Sequence, residues 1–91
     1  MHSILAILEA PADRNNREAV RSWSEAAQEL RTAAEKDKAV EDFGGNIWLI
    51  RAEGGVPFLS QVLSMTQEQK QRCRLLFFET EPQWVRSYEA D

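Results

Sequence analysis

Two carboxylates four residues apart, Glu9 and Asp13, stand on either side of Pro11 at the end of an apolar run. Carboxylates in that position suit a hard cation such as Mg²⁺, which takes oxygen ligands and keeps several of its waters. On this reading Glu9 and Asp13 are the candidate catalytic pair, with Glu9 the candidate metal ligand. In a symmetric dimer two Glu9 side chains would share one ion across the axis. The plainer reading of the same residues is that Glu9 closes a strand and Asp13 caps a helix. His2 has the intrinsic pKa of a general base, although a terminal histidine is commonly just exposed. Cys73 sits between Arg72 and Arg74, a basic setting of the kind that lowers a thiol pKa, but it has no second histidine or resolving cysteine to work with. One cysteine and one histidine can form neither an internal disulfide nor a Cys/His zinc set.

A second chemistry is phosphate contact. Arg14, Arg17 and Arg21 recur at i, i+3 and i+7 as candidate nucleic-acid-binding residues, and Arg51, Arg72, Arg74 and Arg86 add further guanidinium groups. Against them stand 15 acidic residues to 11 basic ones, a net charge of −4. A nucleic-acid surface normally shows as a basic excess, so this balance disfavours one, and an arginine row on a helix is commonly a solvated face. The pairs Gly44-Gly45 and Gly54-Gly55 match neither a P-loop nor a dinucleotide fingerprint and read as turns.

The elements that would position these residues follow from hydrophobic periodicity. Ile4 to Leu8 is unbroken by polar residues, and Asn46 to Ala52 places Ile47 and Leu49 on one face and Trp48 and Ile50 on the other. Strands apolar on both faces belong at the centre of a covered sheet. Between them Val20, Trp23, Ala27, Leu30 and Ala34 recur at spacings of three and four, predicting an amphipathic helix over about 15–37. Asn15 is its expected cap, Asp13 the rival, and Glu18 completes a capping box. Trp23, mid-stripe, is expected to bury most of its ring against the sheet. The stripe also suits a coiled coil, but its alanines favour close packing on a sheet. Ala39 to Phe43 reads as a charged edge strand, Gly44-Gly45 as a two-residue hairpin turn, and Pro57 to Ser64 as a short helix. Thr66 with Gln69 signals a further helical turn, and Cys73 to Thr80 a last strand, apolar on both faces.

The order β-α-β-β-α-β predicts an α+β ferredoxin-like domain spanning the 91 residues. Its four-stranded antiparallel sheet should run in the order 4-1-3-2, with both helices on one face. The other face would then expose several large apolar side chains, more than a soluble monomer usually tolerates. A homodimer through that face is the expected cover, with Trp48, Ile50, Trp84, Val85 and Tyr88 at the interface. The alternative is that the tail, 82–91, docks on its own sheet. No apolar run reaches the roughly 18 residues of a membrane span. Met1-His2-Ser3 lacks the basic flank of a secretory signal, so a cytoplasmic protein is expected.

The run Gly45-Asn46-Ile47-Trp48-Leu49-Ile50-Arg51, the short helix, the glutamine-rich turn, Cys73-Arg74-Leu75-Leu76-Phe77-Phe78-Glu79 and the tail with Trp84 resemble the small ferredoxin-like proteins called SinR-like. These are relatives of the dimeric CRISPR adaptation subunit and of the GhoS-type antitoxin ribonuclease. The likeness is one of pattern over about 40–88. It implies a dimer that serves a defence or toxin-antitoxin system. In the CRISPR-associated members the proposed metal ligand is an aspartate after a tyrosine near the end of the first strand. The matching stretch here, Ile7-Leu8-Glu9-Ala10, lacks Tyr-Asp and offers Glu9 in its place. Two functions follow as expectations. One is a non-catalytic homodimeric module, without cofactor, that binds another protein. The other is a Mg²⁺-dependent endoribonuclease or nucleic-acid-binding protein of the same fold.

Overall fold

The computed structural model describes residues 1–85 and Ser87. The elements are β1 (Ser3–Glu9), α1 (Arg17–Glu35), β2 (Val40–Gly44), β3 (Ile47–Arg51), α2 (Val56–Glu68) and β4 (Arg72–Phe78). Every neighbouring pair of strands is antiparallel and the sheet order is β2-β3-β1-β4. This is the ferredoxin-like α+β layout expected from the sequence, with the two strands that are apolar on both faces at the centre.

Local chemistry moves several boundaries. Asn16, and not Asn15, caps α1, its Oδ1 accepting from the Ala19 amide at 3.1 Å. Asp13 instead accepts from the Asn15 amide at 2.9 Å, forming the turn that leads into the helix. The shift by one residue puts Glu18 in the first turn without making it the box partner; its charge still complements the helix dipole there. The hairpin turn also lies one residue later than expected. Gly45 and Asn46 both have φ of 63°, the pair of positive angles that a tight primed turn requires. Gly44, at φ 79°, belongs to the register irregularity opposite Ile47. Helix α2 runs on through Thr66 because neither proline nor glycine interrupts Ser64 to Glu68, and the Thr66 hydroxyl donates back to the Leu63 carbonyl at 3.1 Å. Gly55 precedes α2 at a point of close approach: a Cβ there would collide with the Arg51 carbonyl oxygen and the Ile50 side chain.

The core lies between the sheet and the helices. Ala6 on β1 is paired with Trp48 on β3 and with Leu75 on β4, so the smallest side chain in the row makes room for the largest. The Trp48 ring meets Phe58 of α2 edge to face, with centroids 6.1 Å apart and planes at 61°. From α1 come Ala26, Ala27, Leu30 and Ala34, and from α2 Val62 and Met65. Trp48 and Ile50 are fully buried here, on the helix-covered face, which corrects their expected place at a dimer interface. Trp23 is half-buried at the margin of this cluster. Most of its surface is covered, its indole Nε1 is buried, and the small residues C-terminal to it make the fully buried seam of α1.

Trp48→Ala should therefore lower stability by about 3–5 kcal/mol, as large core truncations do, and Trp23→Ala by about 1–3 kcal/mol. Urea midpoints compared at a common m-value check this order. A Trp23→Ala loss equal to or greater than that of Trp48→Ala would contradict the packing described.

Candidate interaction surface

Strand alternation sends Leu5 and Ile7 of β1, Ile47 and Leu49 of β3, and Leu76 and Phe78 of β4 to the face without helices. The register sets Leu5 between Leu49 and Leu76, and Ile7 between Ile47 and Arg74. The described part of the tail crosses one half of this face. Trp84 stacks edge to face on Phe43, centroids 5.1 Å apart, over a cleft of about 320 Å³ lined by His2, Glu41, Leu49, Arg51, Glu81 and Trp84. Leu49 beneath it is only 8% exposed. Trp84 in the described part of the tail thus packs beside β2 and β3. The tail's outer surface stays open, with Trp84 62% and Val85 93% exposed. Tyr88 and Arg86 lie outside the described residues.

The β4 side is uncovered in a different way. Leu76 and Phe77 are adjacent and point to opposite faces of the sheet, yet each is 54% exposed. Among the described residues, neither the helices nor the tail covers the outer margin of this seven-residue strand. From the sequence alone β4 reads as apolar on both faces and, in the order 4-1-3-2, as an edge strand; the structure agrees on the edge and shows how much of the run stays open.

The other candidate residues are distributed as follows. Glu9 and Asp13 do share a surface groove of about 530 Å³, which Asn16, Ser22, Gln71 and Arg72 also line. The Gln71 side chain donates to Ser22 Oγ at 3.1 Å and ties its two walls together. Within the groove each carboxylate already has a partner. Glu9 Oε1 accepts from Arg74 Nε at 2.9 Å, a diagonal pair across β1 and β4, and Asp13 holds the Asn15 amide. Among the described residues no three His, Cys, Asp or Glu side chains gather into a possible metal set. Arg14, Arg17 and Arg21 are exposed, with Arg21 3.9 Å from Glu25. Arg31 does not pair with Glu35. It donates to Asn46 Oδ1 at 3.1 Å and to Gln28 Oε1 at 3.0 Å, bracing the hairpin turn against α1. His2 Nδ1 lies 3.0 Å from Ser3 Oγ.

Comparison with known families, with curated proteins and with solved structures gives no match. Among the described residues no helix is long and apolar enough to cross a membrane.

Cys73 reverses the expectation drawn from its arginine neighbours. Burial pushes its thiol pKa up, a backbone hydrogen bond from Ile7 opposes this, and the charge of Glu9 adds to the rise. The arginines flank Cys73 in sequence but alternate to the other face of β4, so their charge does not govern the thiol. A raised folded-state pKa means that the folded form holds its proton more tightly. The associated stability is present below the unfolded thiol pKa and is lost as pH rises through the folded value. Alkylation of native protein by iodoacetamide should thus be slower at neutral pH than that of the urea-unfolded chain, and should accelerate only on the alkaline side of the ordinary thiol range. Native alkylation as fast as the unfolded control at pH 7 would contradict the burial described.

Proposed function

We propose that the protein is a small homodimeric interaction module of the cytoplasm that binds and restrains a protein partner. The observation that carries this reading is the apolar surface left open along β4 and the tail, with Leu76, Phe77, Trp84 and Val85 all more than half exposed. Single exposed apolar residues are normal, but two exposed pairs, Leu76 and Phe77 at the β4 edge and Trp84 and Val85 toward the β2 edge, offer surfaces for association. A two-fold interface covers such a patch with its own copy. The acidic net charge and the engaged carboxylates of Glu9 and Asp13 also fit a binding role better than phosphate chemistry. The sequence pattern it shares with SinR-like proteins adds a defence or toxin-antitoxin setting to the proposal. The second reading, a Mg²⁺-dependent nuclease, draws on the groove that Glu9 and Asp13 share.

Light scattering at micromolar concentration should report about twice the 10.4 kDa chain mass. Leu76→Asp should shift the protein to monomer, while Glu9→Ala should leave its mass unchanged. A well-behaved wild-type monomer would overturn the homodimer. Incubation with labelled RNA and DNA in Mg²⁺ or Mn²⁺ should leave both intact. Cleavage that disappears in Glu9→Ala or Asp13→Ala would favour the nuclease instead.

A further inference from the structure

The geometry of β4 specifies how the proposed dimer is put together. Along β1 the Leu8 amide donates to the Asn46 carbonyl and the Ala52 amide to the His2 carbonyl. Even-numbered residues of β1 therefore turn their backbone polar groups toward β3, and odd-numbered ones toward β4. With Leu5 opposite Leu76 and Ile7 opposite Arg74, the even-numbered residues of β4 point their N–H and C=O inward. Those of Cys73, Leu75 and Phe77 point out along the open margin. Such an edge is a template for another strand. The side chains agree with the backbone. Leu76 and Phe77 lie on opposite faces and are equally exposed, so a cover laid over either face would hide only one of them. A strand alongside hides both.

Charge indicates what that strand is. The segment from 70 to 81 begins with Lys70, Arg72 and Arg74, passes through Leu75, Leu76, Phe77 and Phe78, and ends with Glu79 and Glu81. Laid antiparallel on itself, its basic end meets its acidic end and its apolar middle meets its apolar middle. We infer that two copies of the chain join edge to edge through β4, antiparallel about a two-fold axis at Leu76, so that the two four-stranded sheets become one. In this register Leu76 faces its own copy, Leu75 faces Phe77 and Arg74 faces Phe78, and the acidic segment 79–81 that follows the strand lies at the end that carries the copy's Arg72. An axis at Leu75 would set Arg72 against Phe78 and Arg74 against Leu76, which loses the charge match. A slip of one residue would turn each side chain to the wrong face. The inference rests on the homodimer reading and adds its geometry.

Because Leu76 turns its own backbone groups inward, its pair across the axis is a non-hydrogen-bonded one, with Cα atoms about 4.5 Å apart, within disulfide reach. The test is a full-length Cys73→Ser, Leu76→Cys double variant oxidised mildly at micromolar concentration. It should become a disulfide-linked dimer as the main product, whereas Cys73→Ser, Leu5→Cys, with its thiol at the centre of the helix-free face, should not. Phe77→Pro removes only an outward N–H and should give a folded monomer by circular dichroism and light scattering. If the wild type is a dimer, but Leu76→Cys fails to cross-link and Phe77→Pro remains dimeric, edge pairing is wrong and the homodimer stands. Cross-linking through Leu5→Cys instead would replace the edge with the sheet face. A monomeric wild type, as expected if an extended peptide or a different protein fills the edge, would overturn both.

Discussion

The fold depends on one steric exchange at the centre of the sheet, where Ala6 yields its space to Trp48. Ala6 has Trp48 on one side and Leu75 on the other, and neither Ala6 nor Trp48 is exposed. With a methyl group on the middle strand, the indole can lie under α2 and reach the Phe58 ring, while Ala26 and Ala27 bring α1 close to the same layer. Protein interiors are packed to crystal density, so a larger residue at position 6 would have to lift a helix. The helix-covered face is thereby filled at β1 and β3, while Phe77 at its β4 margin stays half exposed.

That packing leaves the two edges of the sheet unequally covered. The helices and the described part of the tail cover most of the apolar surface of β1 and β3, whereas Leu76 and Phe77 on β4, Phe43 on β2, Val56 and Leu63 on α2, and Trp84 and Val85 in the tail stay exposed. The β4 side of the sheet carries the Glu9 to Arg74 pair. Because Arg74 is largely exposed, this pair stabilises the monomer by only about 0–1 kcal/mol. Its consequence is to position a guanidinium along the open strand, next to the residues that would meet a partner.

Much of the fold was legible in the sequence because period and punctuation agreed. Ile4 to Leu8 and Ile47 to Ile50 announced two central strands, glycines and Pro57 marked the turns, and the spacing from Val20 to Ala34 marked the long helix. What was not legible is which face a doubly apolar strand turns to the helices. Alternation separates Trp48 and Ile50 from Ile47 and Leu49, but only the register with Ala6 seats the indole inside. The edge position of β4 was legible in the expected strand order, but the extent of its exposure was not. Leu75 to Phe78 has the composition of a buried strand, and only its position at the end of the strand order leaves half of Leu76 and Phe77 uncovered. The sequence neighbours of Cys73 misled in the same way, since two flanking arginines on a strand point away from the thiol between them. The basic and acidic ends of the segment from 70 to 81 were visible throughout, as a pattern that acquires meaning once the edge is seen to be open.

The most direct measurement is amide hydrogen exchange along β4 at protein concentrations above and below the dimer midpoint. Leu76, whose N–H is bonded to β1, should be protected at both concentrations. Leu75 and Phe77, whose N–H groups point outward, should be protected only in the dimer and should lose that protection on dilution. Rapid exchange at Leu75 and Phe77 in a solution that is demonstrably dimeric would contradict pairing through this edge.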